Sequence, residues 1–345
     1  MFTRILRIAM LSALALALIP SLAMGAGHSF FEGKTIRFVV GFSPGGGFDT
    51  YTRFIARHFG KHVPGNPRTV VQNRTGAGSM IAANYIYNRA RPDGLTVGNW
   101  IGPLVLQHVL GKKGIKFDGR KFNWLGVPST DDNTCALTKA SGINNVKEWL
   151  NSKRPIKIGA TGPGSTTDDV PKLIKAATDL PMQIIEGYGG TAIIRVAAEK
   201  GEIDGGCWAW QSIKPTWRQG IESGNVKPVL QVGPDKHADL KDVGVAFDLV
   251  KDDRGKQLLQ VAADVYRGLS RPYSLPPGTP ADRVKTLQKA FMATMNDPEL
   301  KAEAEKAKLE LNPNDGNWVT KKMTGLYSMD AATLSLLKEV LLPKK

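Results

Sequence analysis

The residues best suited to chemistry form a glycine-rich segment, residues 41–49, with the sequence Gly-Phe-Ser-Pro-Gly-Gly-Gly-Phe-Asp. An apolar run at residues 35–40 precedes it and is typical of a buried strand. Apolar residues recur at helical spacing over residues 48–58. Glycine leaves the backbone N–H groups of the loop unobstructed, and a helix start adds unpaired N–H groups and a positive dipole end. The segment is therefore predicted to hold an anion.

A second glycine-rich loop, residues 159–165, has the G-x-x-x-x-G spacing of a phosphate loop. Ser165 stands where such loops require lysine, which argues against nucleotide hydrolysis. The hydroxyls of Ser165, Thr166 and Thr167 and a predicted helix over residues 168–179 still favour anion binding. Thr167 or Asp168 capping this helix is compatible with that role.

Residues 41–45 also match G-x-S-x-G, the nucleophile elbow of α/β-hydrolases, with Ser43 as the nucleophile. In that elbow the residue after the serine donates its N–H to the oxyanion, and here Pro44 has no N–H. The histidines that follow stand in no recognisable catalytic signature. A secreted serine hydrolase therefore remains only as an alternative.

Other candidate chemistry is weaker, and we expect no metal ion or other cofactor. His58 and His62 are four residues apart but are predicted to be a surface pair, because Gly60 lies between them and no acidic third ligand is near. The acidic pairs are predicted to be helix caps or turns: Asp131/Asp132, Asp168/Asp169 and Asp252/Asp253. The tryptophans near predicted strand ends could line a cleft or pack in the core: Trp100, Trp208 and Trp210.

The elements around these loops alternate between short apolar runs and helical patterns from residue 35 to about residue 185. This alternation predicts parallel sheets with helices on both faces. Ligands of such sheets lie beyond the carboxyl ends of the strands, where both glycine loops fall. Residues 270–280 are predicted to be a proline-rich linker or cap before two amphipathic helices, residues 282–295 and 298–308.

The N-terminal segment predicts export. Arg4 and Arg7 precede an apolar run at residues 8–19 and a small-residue end, which is the plan of a signal peptide cleaved after Ala23 or Gly25. The remaining ~320 residues suffice for two domains. The formal net charge is +15, but the basic residues are spread along the chain, so steering of small anions is expected and nucleic acid is not. Two cysteines, Cys135 and Cys207, form one disulfide or remain two buried free thiols.

Several motifs together resemble Bug-type extracytoplasmic receptors, which serve tripartite tricarboxylate transporters. The similarity covers nearly the whole exported chain and is carried by the following segments: residues 42–49 with Arg53, residues 73–79, residues 91–96, residues 162–167, residues 188–191 with 201–204, and residues 276–280. The resemblance implies a class II periplasmic-binding-protein fold, in which two α/β lobes close on a ligand.

In that fold the signal peptide would be residues 1–25, the first lobe residues 26–128 and 255–345, and the second lobe residues 129–254. Hinge motion is expected at crossovers near residues 125–135 and 240–265. The resemblance also implies a carboxylate held by backbone N–H groups and hydroxyls, without an arginine clamp. Asp49 is predicted to brace the first loop, because its charge would repel an anion.

The candidate ligand-binding residues comprise the two loops and side-wall positions: Phe42, Ser43, Gly45, Gly46, Gly47, Asp49, Ser79, Trp100, Gly162, Gly164, Ser165, Thr166 and Trp208. Ser79 and the aromatic run Trp208-Ala209-Trp210 depart from the family pattern. These departures leave room for a bulkier or aromatic carboxylate ligand. The predicted function is a monomeric periplasmic receptor without enzymatic activity. It would bind a small organic acid and deliver it to a membrane transporter. A periplasmic sensor for a signalling partner is a further alternative.

Overall fold

The computed structural model describes residues 29–342, so the predicted signal peptide lies outside the described residues. Two six-stranded sheets form the framework. The strands are β1 (Thr35–Val40), β2 (Arg68–Asn73), β3 (Thr96–Asn99), β4 (Asn123–Val127), β5 (Asn133–Thr138), β6 (Ile156–Gly159), β7 (Met182–Ile185), β8 (Gly205–Ala209), β9 (Val226–Val232), β10 (Gly244–Val245), β11 (Tyr273–Leu275) and β12 (Asn314–Asp315).

Helices cover both sheets. They are α1 (Gly47–Phe59), α2 (Met80–Asn88), α3 (Leu104–Val109), α4 (Val146–Leu150), α5 (Thr166–Thr178), α6 (Thr191–Glu199), α7 (Trp210–Thr216), α8 (Arg218–Glu222), α9 (Asp253–Gly268), α10 (Ala281–Asn296), α11 (Pro298–Lys306), α12 (Gly316–Gly325) and α13 (Ala331–Leu341). Short 3-10 helices lie at Gly60–His62, Gly119–Lys121, Lys139–Ser141, Ala238–Leu240, Ala246–Leu249 and Leu326–Ser328. Among residues 29–342, no helix has the length and apolar character needed to cross a membrane.

The sheet of the first lobe has the order β12-β4-β11-β3-β1-β2, and that of the second lobe has the order β10-β9-β5-β8-β6-β7. Strand β1 is parallel to β2 and β3, and β6 is parallel to β7 and β8. A helix connects β1 to β2, β2 to β3, β6 to β7 and β7 to β8. This explains why the alternating pattern in the sequence predicted these strands. The two glycine loops follow β1 and β6 directly, so each lobe presents one loop at the carboxyl end of its parallel strands.

The sheets are mixed, whereas the sequence predicted parallel ones. Strand β5 is antiparallel to β8 and β9, and β11 is antiparallel to β3 and β4. Both are the first strand after the chain passes from one lobe to the other. Strand β11 also lies inside the segment predicted to be a linker, and that prediction was wrong.

Within residues 29–342 the chain crosses between the lobes three times. It crosses at residues 128–132 and 269–272, since β4 and β11 belong to one sheet and β5 belongs to the other, and again between α12 of the first lobe and α13 of the second. The first crossover lies within the predicted hinge. The second lies beyond the predicted segment 240–265, because α9 is a continuous helix that packs against α5 of the second lobe. Helix α13 packs against α5 and α9 as well. Residues 253–268 and 331–341 thus lie on the second lobe, although the sequence assigned everything from residue 255 onward to the first.

Cys135 and Cys207 form a disulfide, which decides between the two alternatives left by the sequence. They lie directly opposite each other on β5 and β8, and both are fully buried. The bond closes a loop with a sequence separation of 72 residues. The bridge therefore ties the crossover strand β5 to the strand that follows α6.

Replacing both cysteines with alanine is expected to lower the free energy of unfolding by about 4 kcal/mol, because the unfolded chain regains the entropy of a long open loop. Urea unfolding of the oxidised protein and of the Cys135→Ala/Cys207→Ala variant measures the difference. The control is the wild-type protein after treatment with a thiol reductant. Its unfolding midpoint should approach that of the double variant. Equal midpoints for all three would contradict the structural role of the bridge.

Candidate ligand-binding site

A narrow cavity lies between the two lobes. Helix α1 begins at the cavity from the first lobe and α5 begins at it from the second. Gly46 and Gly47 line it on one side, and Ser165, Thr166 and Thr167 line it on the other. The first N–H groups of any helix have no intrahelical acceptor, and both helices have 13 residues and a positive dipole end here. The cavity is thus built for a negatively charged group.

The first loop is shaped by a glycine and braced by a carboxylate. Gly45 has φ +77°, and its N–H donates to Asp49 Oδ2 at 2.9 Å. Arg53 and Asn73 also donate to Asp49. Burial alone would raise the pKa of Asp49, but the bonds from Arg53, Gly45 and Asn73 hold it below its usual range. Asp49 therefore braces the loop, and the Gly45 N–H is already used.

The second loop is braced in the same way. Gly162 and Gly164 have φ +138° and +95°, values that suit glycine. The N–H of Gly164 donates to Asp169 Oδ1 at 2.9 Å, and Ser165 Oγ donates to Gly162 O at 2.7 Å. Ser165 immediately precedes α5 and occupies its N-cap position, two residues before Thr167 and three before Asp168, the predicted cap residues. The glycines of this loop shape it, while Ser165 and Thr166 reach the cavity.

Two buried carboxylates follow this loop, where the sequence predicted a cap. Asp169 accepts from Gln107 Nε2 at 2.7 Å and from Tyr266 Oη at 2.6 Å. Asp168 accepts from Lys172 Nζ at 2.6 Å. Burial, together with the charge of Asp169, raises the pKa of Asp168 to about 8. Burial likewise raises the pKa of Asp169.

These shifts predict that stability falls as the pH rises from 5 to 8. A buried acid with a raised pKa keeps its proton in the folded state over a range in which the unfolded chain has lost it, so a higher pH favours unfolding. Thermal unfolding at intervals of one pH unit should give a falling midpoint. The Asp168→Asn variant, which has the same shape and no charge, should show a flatter dependence. Equal slopes in the two proteins would refute the assignment.

The two lobes touch across the cavity opening. The N–H of Ser43 donates to Gly189 O at 3.0 Å, and Arg195 Nη2 donates to Gly45 O at 2.9 Å. A Cβ atom on Gly47 would lie 1.9 Å from Ser212 Oγ of α7. The first loop is therefore seated against the second lobe, in a closed arrangement.

Ser43 does not have the surroundings of a nucleophile. Its hydroxyl is buried and has no hydrogen-bond partner among residues 29–342. No base in the described part of the chain therefore accepts its proton, as a triad requires. Its N–H is used by Gly189. The hydrolase alternative loses its support, and Ser43 lies beside the cavity as a contact between the lobes.

The side walls of the cavity are apolar. Phe42 and Phe48 lie with ring centroids 4.5 Å apart, and Ile101 and Ala209 add to the same lining. Trp208, a predicted side-wall residue, lines the cavity and stacks on Trp217 at 5.6 Å with an interplanar angle of 12°. The walls suit an apolar ligand body.

An ion pair that the sequence did not predict joins the crossovers at residues 128–132 and 269–272, at the floor of the cavity. Arg271 Nη2 donates to Asp131 Oδ1, and both residues line the cavity although each side chain is only 1% exposed. The Arg271 guanidinium lies over the Tyr51 ring, 4.3 Å from its centroid. Asp131 was predicted to be a turn or cap residue. No local motif marks the pair, because its members are 140 positions apart.

Two candidate residues lie away from the cavity. Trp100 was a side-wall candidate, but it is fully buried among Phe117, Phe122 and Trp124, and its Nε1 donates to Ser274 Oγ at 3.0 Å. It is a core residue of the first lobe. Ser79 Oγ accepts from Ile101 N and lies along a separate surface groove, which Gly162 also lines.

The histidine pair lies beside acidic residues of another helix, whereas the sequence predicted no acidic residue near it. His58 is buried, which differs from the predicted surface position, and its Nε2 lies 3.3 Å from Glu303 Oε1. His62 Nε2 lies 2.7 Å from Asp297 Oδ2. Lys61 Nζ lies 2.7 Å from the same Asp297 oxygen and supplies a positive charge there. These contacts attach the end of α1 to α11.

No protein-family model matches this chain, and no curated protein matches it in sequence. Solved structures do match its fold. The periplasmic binding protein BugD has a TM-score of 0.74 and 20% sequence identity, over 90% of this chain and 98% of that one. MatC of Rhodopseudomonas palustris with bound malate has a TM-score of 0.70 and 17% identity, over 89% of this chain and 100% of that one.

A second R. palustris protein, solved with adipate, has a TM-score of 0.69 and 18% identity, over 88% of this chain and 97% of that one. Two mixed α/β lobes joined by chain crossovers, with a cavity between them, define the fold of a periplasmic binding protein. The predicted fold class is thereby confirmed. Within this fold the chain is similar to structures that include BugD and MatC, in line with the motifs found in the sequence.

Proposed function

We propose that this protein is a periplasmic receptor that binds a small organic carboxylate between its lobes and delivers it to a membrane transporter of the tripartite tricarboxylate type. The observation that carries the proposal is the meeting of two helix N-termini, from opposite lobes, at one cavity. The malate and adipate in two structures with the same fold support it.

The chemistry of the cavity favours one anionic group. Backbone N–H groups at the starts of α1 and α5 and the hydroxyl of Thr166 converge on it, while the Ser165 hydroxyl, which already donates to Gly162 O, supports the loop. Asp49 and Asp169 brace the loops from behind and leave the remaining N–H groups to the ligand. The positive charge of Arg271 is already balanced by Asp131. The carboxylate is therefore held by the two loops, and no bond of the ligand is made or broken.

The rest of the proposal concerns location and motion. The predicted signal peptide directs the chain to the periplasm, where the basic surface attracts anions to the cleft. The two lobes rotate about the crossovers at residues 128–132 and 269–272, and the ligand stabilises the closed arrangement. The protein acts as a monomer that presents its closed form to the transporter.

Thermal unfolding with a panel of aliphatic and aromatic mono- and dicarboxylates tests this proposal. A ligand at about 100 times its Kd adds about 2.7 kcal/mol to stability, which corresponds to a shift of several degrees. A saturable shift with one class of acid is expected, and the corresponding primary amides serve as uncharged controls. The absence of a shift with every carboxylate would overturn the proposal.

A further inference from the structure

The floor of the cavity holds buried polar atoms that the protein does not satisfy. Arg271 uses Nη2 on Asp131, while its Nε and Nη1 have no hydrogen-bond partner within residues 29–342. Asp131 Oδ1 also accepts from Ser129 Oγ at 3.1 Å, but Asp131 Oδ2 has no partner within the same residues. Buried polar groups are nearly always paired. Since both side chains line the cavity, a ligand group is the natural partner.

Trp208 adds another donor to the same lining. Its ring is 2% exposed, and its Nε1 has no partner in the described part of the chain. The neighbouring Trp217 differs, because its Nε1 donates to Glu199 at 2.7 Å outside the cavity lining. Residues of the cavity lining thus carry unused donors, the Trp208 indole N–H and the Arg271 Nε and Nη1, and one unused carboxylate oxygen, Asp131 Oδ2.

The charge at the floor limits what binds there. Asp131 already neutralises Arg271, so a second carboxylate on the ligand would meet an anion in a site removed from water. A hydroxyl avoids this repulsion, because it accepts from a guanidinium or indole N–H and donates to a carboxylate oxygen. The apolar walls, with Phe42, Phe48 and Trp208, suit a ring between that hydroxyl and the carboxylate at the helix starts.

We propose that Asp131, Arg271 and Trp208 form a second polar subsite that selects a hydroxyl group, so that the ligand is a hydroxyl-bearing aromatic monocarboxylate. This inference rests on the proposed function, because the loops must hold the carboxylate. It adds a specificity element that the loops do not supply. The bond to Arg271 orients the hydroxyl, and the stacked pair of tryptophans gives the ring a flat surface.

Calorimetric titration of the purified protein with 3- and 4-hydroxybenzoate, benzoate, terephthalate and adipate tests the proposal. One of the hydroxybenzoates should bind at least about tenfold more tightly than benzoate and terephthalate, because a polar site loses its bonds when the hydroxyl is absent. Tighter binding of terephthalate, or equal binding of benzoate and both hydroxybenzoates, would overturn it. Binding of adipate alone would overturn it while leaving the proposed function intact. If none of these acids bound, this inference would fall, and the wider carboxylate panel described above would decide on the proposed function separately.

Two variants test which residues produce the preference for a hydroxyl group on the ligand. Trp208→Phe keeps a ring and removes one donor, and it should reduce the ratio of hydroxybenzoate to benzoate affinity about threefold or more. Asp131→Asn/Arg271→Gln removes both charges together, which leaves neither partner as a lone buried ion, and it should bring the ratio close to one. Trp149→Phe is the matched control, because Trp149 is a buried indole whose N–H donates to Pro181 O, outside the cavity lining. A ratio in Trp208→Phe equal to that in Trp149→Phe would refute the role of Trp208.

Discussion

Replacing Gly47 with alanine is expected to weaken carboxylate binding by about a hundredfold, because the added methyl group keeps the lobes from closing. An ideal Cβ on Gly47 would lie 1.9 Å from Ser212 Oγ and 2.6 Å from Ser212 Cβ, which is closer than real atoms approach. Forcing extra atoms into such a contact costs about 1–3 kcal/mol. At the upper end, this corresponds to about a hundredfold in Kd.

A second substitution makes this prediction specific. Ser212→Gly removes the atoms that collide, so the Gly47→Ala/Ser212→Gly double variant should recover most of the affinity lost by Gly47→Ala. The Ser212→Gly single variant completes the cycle and gives the coupling between the two sites. Gly325→Ala is a neutral control, because a Cβ there meets nothing within 4 Å. Wild-type affinity in Gly47→Ala would show that ligand binding does not need this contact.

Replacing Gly46 with proline is expected to weaken binding about ten- to a hundredfold, because a hydrogen bond to a charged group contributes about 1.5–3 kcal/mol. Gly46 stands immediately before α1 with φ −84° and lines the cavity. That φ is close to the value proline imposes, so the variant should fold, while it loses the N–H and gains side-chain atoms.

The matched control for this prediction is Gly46→Ala. Both substitutions place a Cβ atom about 2.9 Å from Thr191 Oγ1, but alanine keeps the N–H. The difference in Kd between the two variants, measured by calorimetry with the same acid, isolates the contribution of that N–H. Circular dichroism and thermal unfolding check that both variants are folded. Equal affinities would mean that the Gly46 N–H does not hold the ligand.

The parts of the fold that are local in sequence were predictable. The first loop lies between β1 and α1 and the second between β6 and α5, where the alternating pattern placed them within about two residues. Strand β11 was not predicted because it has only three residues. The prolines at positions 272, 276 and 277 on either side of it are typical of a loop. Its strand character comes from pairing with β3 and β4, which lie more than 140 positions away in the chain.

The site was predictable to the same extent. Six of the candidate residues line the cavity, namely Phe42, Gly46, Gly47, Ser165, Thr166 and Trp208, whereas Ser43, Gly45, Gly162 and Gly164 are not in its lining. That the lining residues bind a ligand stays a prediction. The floor could not be found in this way, since the ion pair of Asp131 and Arg271 exists only because two separate crossovers lie side by side. The prediction that Trp100 lines the cavity was wrong for the converse reason. Trp100 follows β3 and Trp208 lies near the end of β8, so the two looked alike in the sequence. Phe117, Phe122 and Trp124 pack around Trp100, which makes it a core residue.

The disulfide joins the wall of the cavity to its floor. Cys207 immediately precedes Trp208, and Cys135 stands four positions after Asp131. Such a bridge forms and persists only where thiols are oxidised. The covalent link between these two parts of the cavity lining therefore exists only in the oxidised protein. Under the proposed function, we expect calorimetry to show weaker binding of the acid by the reduced protein than by the oxidised protein.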